Sequence, residues 1–368
     1  MKISKLLKNP SGSKGEPHSN RIVVSSRVRL ARNLQRFPFP GWAKKADRQK
    51  IIETIRPVVA DLPEMENAAI NEIMDQFTVV DKQVLVERHL ISREHAAKNF
   101  GSGVVIDANM NLSLMINEED HLRMQAIFNG LELESAWKMI SKVDNELEET
   151  LDFAFSQKLG YLTACPTNVG TGMRASAMLH LPALVLSEQI NQIIQAVNKL
   201  GLAVRGLYGE GTEASGNLFQ ISNQTTLGET EAEIIERLRR VINQIIEHEE
   251  NARATLLEKR ALTVNDQVGR SFGILTNAYS MSSKESMNLL SMMRLGVDLG
   301  MFDEIVRSIV DELFIASQPA HLQKSISRKL NAEERDLLRG ELIRDRLSLL
   351  EKPKIRKIQP PESNEEKA

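Results

Sequence analysis

The chain has 368 residues, of which 42% are apolar, so it is long enough to bury a core and to form two domains. A formal net charge of −2 excludes a general attraction to nucleic acid or to an anionic membrane, so partners must be sought at local sites. The sequence lacks a secretory leader pattern and an uninterrupted apolar run of about 18 residues, and its single cysteine excludes an internal disulfide, which predicts a cytoplasmic protein without membrane contact.

Composition divides the chain into segments. Residues 1–20 are polar with Gly, Pro and Ser, which predicts a flexible N-terminal arm. In residues 21–255, runs of strand length alternate with helical patterns, which predicts a mixed α/β domain of the α+β kind with antiparallel strands. Residues 256–351 follow a helical period, so we predict a second, all-helical domain, and the charged, proline-bearing residues 352–368 are predicted to be disordered.

Local patterns predict particular elements within the α/β domain. Two apolar runs flank Asn109–Asn111, which predicts a β-hairpin. Thr230 and Glu233 have the spacing of a capping box, and the apolar residues after them predict a long helix. Another helix is predicted over about residues 187–200, ending at Gly201.

The stretch SSRVRLARN, residues 25–33, is the first with chemical content. On a strand, Arg27 and Arg29 face one side while Val28 and Leu30 face the other. Adjacent guanidinium groups repel each other unless an anion lies between them, so the pair is a candidate anion site. An isolated pair of this kind is equally typical of a solvated edge strand.

The stretch NEEDHLR, residues 117–123, places carboxylates directly after an apolar strand. Glu118, Glu119 and Asp120 are followed by His121 and Arg123. Strand ends often present catalytic groups, which favours a catalytic role for these carboxylates. A charged run is also typical of a solvated face.

The stretch CPTNVGTGMRAS, residues 165–176, contains the single cysteine. Gly170 and Gly172 permit close backbone approach, and Arg174 stands where a helix is predicted to begin, a pattern typical of a phosphate-binding loop without the Walker lysine. Cys165 is then either a reactive thiol or an inert core residue.

The stretch VRGLYGEGTEASG, residues 204–216, places Arg205 and Glu210 around a glycine turn. In isolation, the same pattern is typical of a surface loop. The stretches together supply planar cations that match phosphate oxygens, and carboxylates that can orient and deprotonate a guanidinium, whose free pKa is above about 12. The cations are Arg27, Arg29, Arg123, Arg174 and Arg205, and the carboxylates are Glu119 and Glu210.

These stretches resemble the signature motifs of the phosphagen (guanidino) kinase superfamily and, within it, the bacterial protein-arginine kinases. The resemblance covers about residues 21–250 and is specific, since separate motifs agree in the expected order. It implies a phosphagen-kinase-like catalytic domain, an antiparallel sheet flanked by helices, with ATP as the phosphoryl donor and Mg²⁺ bridging its phosphates. No protein ligand for the metal is assigned.

Carried over residue by residue, the resemblance assigns functional groups. It places Glu119 and Glu210 on the acceptor guanidinium, with Asp120 beside them and Cys165 as the active-site cysteine. His89 is assigned by the resemblance alone. The residues aligned with nucleotide-binding segments are Ser25, Ser26, Arg27, Val28, Arg29, His89, Arg123, Arg174, Ala175, Ser176, Ala177, Met178, Arg205, Gly206, Leu207, Tyr208, Gly209 and Glu210.

The expected substrate follows from the position of the motifs. Kinases of small guanidines carry a helical N-terminal domain that closes over the substrate, whereas the motifs here start at residue 25, so we expect a pocket open to an exposed arginine of a protein. A small-molecule arginine kinase and a phosphoarginine-binding adaptor are the alternatives. The family also implies an activating adaptor, a Clp unfoldase and protease, and a stress-response repressor as partners.

The C-terminal segment contains ERDLLRG, residues 334–340. On a helix, Arg335 and Arg339 share a face next to Asp336, and the bacterial family has a similar R-D-x-x-R-A motif at an allosteric phosphoarginine pocket. A solvated helix with an internal ion pair gives the same pattern. Gly340 replaces the alanine, at a cost of about 1 kcal/mol in helix propensity. A homodimer is expected, with the Met-rich residues 289–300 as either its surface or plain core.

Overall fold

The computed structural model describes residues 21–206, 214–326 and 328–354. Its strands are β1 (Val23–Arg32), β2 (Ile70–Ile73), β3 (Gly103–Ile106), β4 (Leu112–Ile116), β5 (Leu122–Asn129), β6 (Phe155–Ser156), β7 (Gly160–Tyr161), β8 (Met173–His180), β9 (Leu202–Gly206) and β10 (Leu218–Asn223). One eight-stranded sheet has the order β2-β3-β4-β5-β1-β8-β10-β9, and β6 pairs with β7 in a separate hairpin. Every described pair is antiparallel, which confirms the predicted fold class.

Helices flank the sheet and continue beyond it. Those up to residue 259 are α1 (Lys45–Ala60), α2 (Val79–Glu87), α3 (Arg93–Ala96), α4 (Leu133–Glu148), α5 (Pro182–Leu186), α6 (Ile190–Lys199) and α7 (Glu231–Lys259). The helices after it are α8 (Ala261–Asn277), α9 (Ser283–Asp298), α10 (Ile305–Ala316), α11 (Pro319–Ser325) and α12 (Ala332–Leu347). Of the helices described here, none is long and apolar enough to cross a membrane.

The register of the sheet gives its two faces different chemistry. Residues directly opposite each other on antiparallel strands share a face. Arg29 of β1 lies opposite Arg174 of β8, and Ala31 of β1 lies opposite Arg123 of β5. Gln220 of β10 lies opposite both Met178 of β8 and Arg205 of β9, so the arginine of β9 shares that face. We call it the arginine face; it contains Arg27, Arg29, Arg123, Arg174 and Arg205.

The opposite face of the sheet forms the core under α4 and α7. Val28, Leu30, Met124 and Ala175 are all fully buried there. The helices α4 and α7 contribute buried residues at helical spacing, among them Ile140, Val143, Ile234, Leu238 and Ile242. Burying this apolar face fixes the register, because a slip by one residue would place the arginines in the core.

The local predictions for the α/β region are confirmed. β3 and β4 form the expected hairpin, and the Asp107 carboxylate accepts hydrogen bonds from the amides of Asn109 and Leu112 at its turn. The capping box of Thr230 and Glu233 begins α7. The helix that was predicted over about residues 187–200 starts later, at Ile190, because Glu188 adopts a left-handed backbone with φ 60°.

The helical C-terminal region packs against α2. The Glu87 carboxylate accepts hydrogen bonds from the amides of Ala320 and His321 at the start of α11, at 2.8 and 3.1 Å. His321 Nδ1 lies 2.7 Å from the same carboxylate, and Lys324 forms an ion pair with Asp81 at 2.7 Å. Polar contacts of α11 therefore join the C-terminal helices to the sheet region.

The Met-rich residues 289–300 form core. Leu290 and Met293 are fully buried, and Val297 is 1% exposed. Of the two interpretations of this stretch, the dimer surface is wrong, because α9 uses these side chains to pack on α8 and α10. The predicted arm, residues 1–20, and residues 355–368 of the predicted tail lie outside the described residues.

Candidate active site

A cavity of about 120 Å³ opens on the arginine face, beside the loop that follows Cys165. β1 contributes Arg29, β5 contributes Arg123 and β8 contributes Arg174. Glu119, from the turn between β4 and β5, and Cys165 complete its charged and reactive lining. The fold thus brings together residues from stretches that are up to about 150 positions apart in the sequence.

The arginines of this face are held close together against their mutual repulsion. Burial, followed by the charges of Arg123 and Arg174, lowers the pKa of Arg27 to about 10. Burial and neighbouring arginines also lower the pKa of Arg29 and of Arg174. Within the described ranges, the buried Nε atoms of Arg29 and Arg174 have no hydrogen-bond partner. A bound polyanion would relieve the repulsion and satisfy these donors.

Arg123 has a carboxylate partner that the sequence analysis left without a role. One of its terminal nitrogens lies 2.7 Å from both oxygens of Glu118, a fully buried residue. The Ser92 hydroxyl, at the start of α3, donates to the same carboxylate. Burial favours a raised pKa for Glu118, but the charge of Arg123 outweighs it, so the pKa is lowered and the group is ionised. Glu118 therefore fixes Arg123 at the cavity wall.

Glu119 is the exposed carboxylate of the acidic run, and it lines the cavity. Partial burial, together with the charges of Asp120 and Glu118, raises its pKa from the ordinary value for glutamate. A carboxylate with a raised pKa holds a proton more readily, which suits an acceptor of a proton from a nucleophile. The catalytic role of Glu119 stays a prediction.

Asp120 occupies a different position, behind the cavity wall. It is 1% exposed, and its Oδ1 accepts hydrogen bonds from Asn33 Nδ2 and from the amide of Ala164, both at 2.6 Å. These bonds tie the end of β1 and the residue before Cys165 to the β4–β5 turn. The structure therefore gives Asp120 the geometry of a positioning residue. The sequence analysis missed Asn33, whose signal was its place at the end of the arginine-bearing strand.

Cys165 lies at the start of a 3₁₀ turn, Pro166–Asn168, and is only partly buried. Its Sγ is 3.0 Å from the hydroxyl of Thr167. The thiol lines the cavity together with Glu119 and Arg174, so its surroundings are polar and not those of an inert core residue. The reactive interpretation of Cys165 is the one that this geometry favours.

The interpretation of residues 165–176 as a loop leading into a helix was wrong. Residues 173–180 are strand β8, and Arg174 reaches the cavity from the sheet. Gly170 and Gly172 have positive φ of 115° and 66°. A Cβ at Gly170 would lie 2.3 Å from the Thr226 carbonyl oxygen, and one at Gly172 would lie 2.7 Å from the Ala31 carbonyl oxygen. Both glycines are therefore required for close packing of the loop against neighbouring backbone.

The residues predicted to bind nucleotide are divided between the two faces by strand alternation. Ser25, Arg27, Arg29, Arg174, Ser176 and Met178 lie on the arginine face. Ser26, Val28, Ala175 and Ala177 are buried on the opposite face, where the Ser26 hydroxyl donates to the Gly130 carbonyl oxygen. Their side chains support the strands from the core side.

Of the remaining predicted residues, His89 contacts Gln125 of the central strand β5, while Arg205 and Gly206 lie on the edge strand β9. Burial and the charges of Arg27 and Arg93 lower the pKa of His89 to about 4, so its ring is neutral at pH 7. Arg205 is exposed on β9, and its charge contributes to the lowered pKa of Arg174. Gly206 ends β9. Leu207, Tyr208, Gly209 and Glu210 lie outside the described residues.

The residues predicted to bind phosphoarginine lie on α12, where their side chains contact other parts of the protein. Arg339 is 1% exposed and donates to the carbonyl oxygens of Ser317 and Met281 at 2.9 and 2.7 Å, while pairing with Asp336. Arg335 donates to the Leu330 carbonyl oxygen at 3.0 Å. A phosphoarginine at this position would have to compete with these contacts, and the pocket stays a prediction.

Two family models match the chain. The model described as ATP:guanido phosphotransferase, C-terminal catalytic domain, matches residues 50–252, and the model described as Protein-arginine kinase McsB C-terminal domain matches residues 261–358. The first range contains most of the large sheet and the second contains α8 to α12. The two matches thus meet close to the end of α7.

Curated relatives match almost the whole chain. The protein named Protein-arginine kinase from Halothermothrix orenii is 49% identical over 335 residues, which cover 91% of this chain and 95% of that protein. The protein of the same name from Symbiobacterium thermophilum is 48% identical over 334 residues, 90% of this chain and 94% of that protein. The protein of the same name from Brevibacillus brevis is 44% identical over 354 residues, which cover 95% of this chain and 99% of that protein.

Solved structures of guanidino kinases share the fold. The duplicated taurocyamine kinase from Schistosoma mansoni, with bound transition state analog components, has a TM-score of 0.58 and 26% identity, covering 68% of this chain and 38% of that chain. Lombricine kinase has a TM-score of 0.57 and 24% identity, covering 67% of this chain and 71% of that chain. The arrangement of sheet and helices described above is therefore common to these proteins.

Proposed function

The chain belongs to the protein-arginine kinases, and on this premise we propose that its cavity transfers the γ-phosphoryl group of ATP to an arginine side chain presented by a protein. The observation that carries the proposal is the shared lining of one cavity of about 120 Å³ by Arg29, Arg123, Arg174, Glu119 and Cys165. Cations for phosphate oxygens and acceptors for a guanidinium group are thus within the same small space.

On the donor side, the arginine face holds the nucleotide phosphates. Arg29 and Arg174 have unpaired Nε donors within the described part of the chain, and Arg123 is fixed in place by Glu118. Because these donors are positioned before the substrate arrives, they neutralise the charge of the transferred phosphoryl group with little rearrangement. Positioning and electrostatic stabilisation supply most of the rate enhancement in phosphoryl transfer.

On the acceptor side, Glu119 orients the substrate guanidinium and takes its proton. A new bond forms between a guanidinium nitrogen and the γ-phosphorus while the bond from that phosphorus to the bridging oxygen breaks, and ADP leaves. The nitrogen's proton passes to Glu119, whose pKa is raised. Cys165 offers a further acceptor to the guanidinium. Glu210, outside the described residues, is proposed from the family resemblance as the second carboxylate.

Mg²⁺ enters the proposal as the ion that binds ATP phosphates and reduces their charge. Over the described ranges, no group of His, Cys, Asp or Glu side chains is large enough to hold a metal. We therefore assign Mg²⁺ no protein ligand and derive no step from it.

A mass measurement tests the proposed transfer. Incubating the purified chain with Mg-ATP and an unfolded, arginine-rich protein should add about 80 Da per transferred group, on arginine and in an acid-labile form. Glu119→Gln should lower kcat by about 10² or more, because it removes the proton acceptor from the cavity. Glu247→Gln, on the exposed side of α7, is the matched control and should retain activity.

The alternatives give different results in the same assay. Transfer to free L-arginine but not to proteins would make the chain a small-molecule arginine kinase. Binding of phosphoarginine-bearing protein without transfer to either substrate would make it an adaptor. Wild-type rates for Glu119→Gln would contradict the assignment of Glu119.

Further partners are proposed from the resemblance to the bacterial protein-arginine kinases alone. These are an activating adaptor, a stress-response repressor as a substrate, and a Clp unfoldase and protease that degrades arginine-phosphorylated proteins in the cytoplasm. Reconstitution tests the last of these: a Clp protease should degrade a model substrate faster after its phosphorylation by this chain than after incubation with Glu119→Gln. Equal degradation rates would reject the proposal.

A further inference from the structure

An apolar groove lies beside the loop of residues 165–172, which we call the Cys165 loop and which also borders the cavity. It has a volume of about 320 Å³ and is formed by the β6–β7 hairpin and residues 226–231. Phe155, Leu159 and Leu227, which line it, are 55%, 45% and 55% exposed. Large apolar side chains gathered at one exposed concave surface indicate a binding site for another molecule.

The groove and the catalytic cavity share a wall. Cys165, Thr167 and Gly172 line the cavity, while Gly170 and Thr171 of the same loop line the groove. A molecule in the groove therefore lies directly across a single loop from the acceptor site. A polypeptide whose arginine enters the cavity must leave the cavity past its rim, where the groove can receive the neighbouring residues.

Close backbone packing makes this shared wall rigid. A Cβ on Gly160 of the hairpin would lie 2.5 Å from the Gly170 carbonyl oxygen, and a Cβ on Gly170 would lie 2.3 Å from that of Thr226. The hairpin, the Cys165 loop and the 226–231 segment are thus stacked without intervening side chains. Their positions depend on one another, so the groove has a fixed spacing from the cavity.

The floor of the groove is also held in place. The Tyr161 ring lies under Phe155, with ring centroids 5.2 Å apart, and the Arg32 guanidinium is 3.5 Å from the centre of the tyrosine ring. Arg32 also donates to the Thr171 carbonyl oxygen at 2.9 Å and pairs with Asp144. The same buried arginine thereby orders the floor of the groove and the loop beside the active site.

The charges around the groove favour a basic occupant. Glu229 and Glu231 line it together with the cation Lys158, and Glu229 is ion-paired with Arg237 at 2.8 Å. The exposed Glu148 accepts a hydrogen bond from the Tyr161 hydroxyl at 3.2 Å. A small excess of negative charge remains, from Glu231 and Glu148 against Lys158, and it suits a segment that combines apolar residues with arginine.

We propose that the groove binds an aliphatic or aromatic side chain of the substrate polypeptide, located a few residues from the arginine being phosphorylated. The proposal rests on the proposed function, since it requires a polypeptide substrate. If the groove binds such a side chain, the kinase prefers extended segments in which an apolar residue and an arginine are both accessible. Folded proteins usually bury their apolar residues, so such segments are less accessible in them.

Paired peptides test the proposal. Each contains one arginine, and the flanking positions are leucine and phenylalanine in one peptide and serine in the other. Wild-type enzyme should show a KM about tenfold lower for the apolar peptide, as expected for burial of one apolar side chain. Leu227→Ser and Phe155→Ser should remove this difference by raising the KM of the apolar peptide, with kcat and the serine peptide unchanged. Leu262→Ser, 67% exposed on α8, is the matched control.

Other outcomes would overturn the proposal in distinguishable ways. Equal KM values for the two peptides with wild-type enzyme would show that the groove does not bind the substrate's apolar side chains. A loss of kcat with both peptides in the variants would make the groove a structural support of the Cys165 loop. A change from dimer to monomer with KM unaffected would assign the groove to self-association. Failure of wild-type enzyme on every peptide and protein would reject the proposed function itself.

Discussion

The turn between β4 and β5 holds consecutive carboxylates in unlike environments. Glu118 is ion-paired with Arg123, Glu119 faces the cavity, and Asp120 is bound by Asn33 and the Ala164 amide. Neighbours from β5, from the residue after β1 and from the residue before Cys165 create these different environments. Consecutive carboxylates can therefore differ in function: one holds an arginine in place, one is available to accept a proton, and one connects neighbouring segments by hydrogen bonds.

Glu119→Gln should increase stability while it removes activity. Its pKa is raised in the folded state, first by partial burial, so the folded state binds the proton more tightly than the unfolded state does. The ionised carboxylate thus destabilises the folded state at a pH above its folded-state pKa. This destabilisation disappears at a pH below the pKa that Glu119 has in the unfolded state. Tm measured across pH should be higher for Glu119→Gln at pH 8 and equal to wild type at pH 4 or below. A lower Tm at pH 8 would contradict the raised pKa.

Glu118→Gln should make stability depend on a bound polyanion. The substitution leaves Arg123 buried without its counter-charge beside Arg29 and Arg174, at a cost of about 3 kcal/mol. Phosphate groups on the arginine face would replace part of that charge, so Tm should rise more on adding ATP than it does for wild type. Differential scanning fluorimetry with and without nucleotide measures the difference. An equal rise in both proteins would mean that nucleotide does not contact Arg123.

At the scale of elements, strand alternation was enough to predict part of the site. Arg27 and Arg29 had to share a face once Val28 and Leu30 were assigned to the core, and the structure confirms this. The roles of the carboxylates after β4 could not be predicted in this way, because Asn117 has φ 57° and the chain turns irregularly there. Residues 165–172 were misread for a similar reason: their glycines are required by contacts with distant segments, which local sequence does not reveal.

Gly340 on α12 is another glycine explained by a distant contact. A Cβ at this position would lie 2.5 Å from the Tyr279 carbonyl oxygen and 3.1 Å from that of Ala278. Gly340→Ala gains about 1 kcal/mol of helix propensity but forces α12 away from this backbone, so it should lower the free energy of unfolding by about 1–2 kcal/mol. The matched control is Gly273→Ala on α8, where nothing lies within 4 Å, and it should stabilise the protein. Urea unfolding of both variants measures the change in the free energy of unfolding. An increase for Gly340→Ala would contradict the close packing of α12 against the Tyr279 backbone.

At the scale of the whole molecule, the C-terminal helices and the arginine face are joined through α2. Glu87 ends α2 and binds the first amides of α11, while His89, two residues later, lies close enough to Arg27 for that charge to lower its pKa. In turn, Ser317, which precedes α11, accepts a hydrogen bond from Arg339 of α12. Polar contacts thus lead from the predicted phosphoarginine helix to the arginine face, although no sequence pattern indicated that α2 and α11 would meet.

Glu87→Gln tests this junction. The amide keeps the size of the carboxylate but loses its charge against the α11 amides, and a hydrogen bond to a charged group contributes about 1.5–3 kcal/mol. Local opening of α11 should become at least tenfold more frequent, which amide hydrogen exchange of residues 320–325 would measure as faster exchange. The exposed Glu66→Gln is the matched control and should leave this exchange unchanged. If α11 exchanged at wild-type rates in Glu87→Gln, apolar packing against α2 would be sufficient to hold the C-terminal helices, and the carboxylate would be dispensable to the junction.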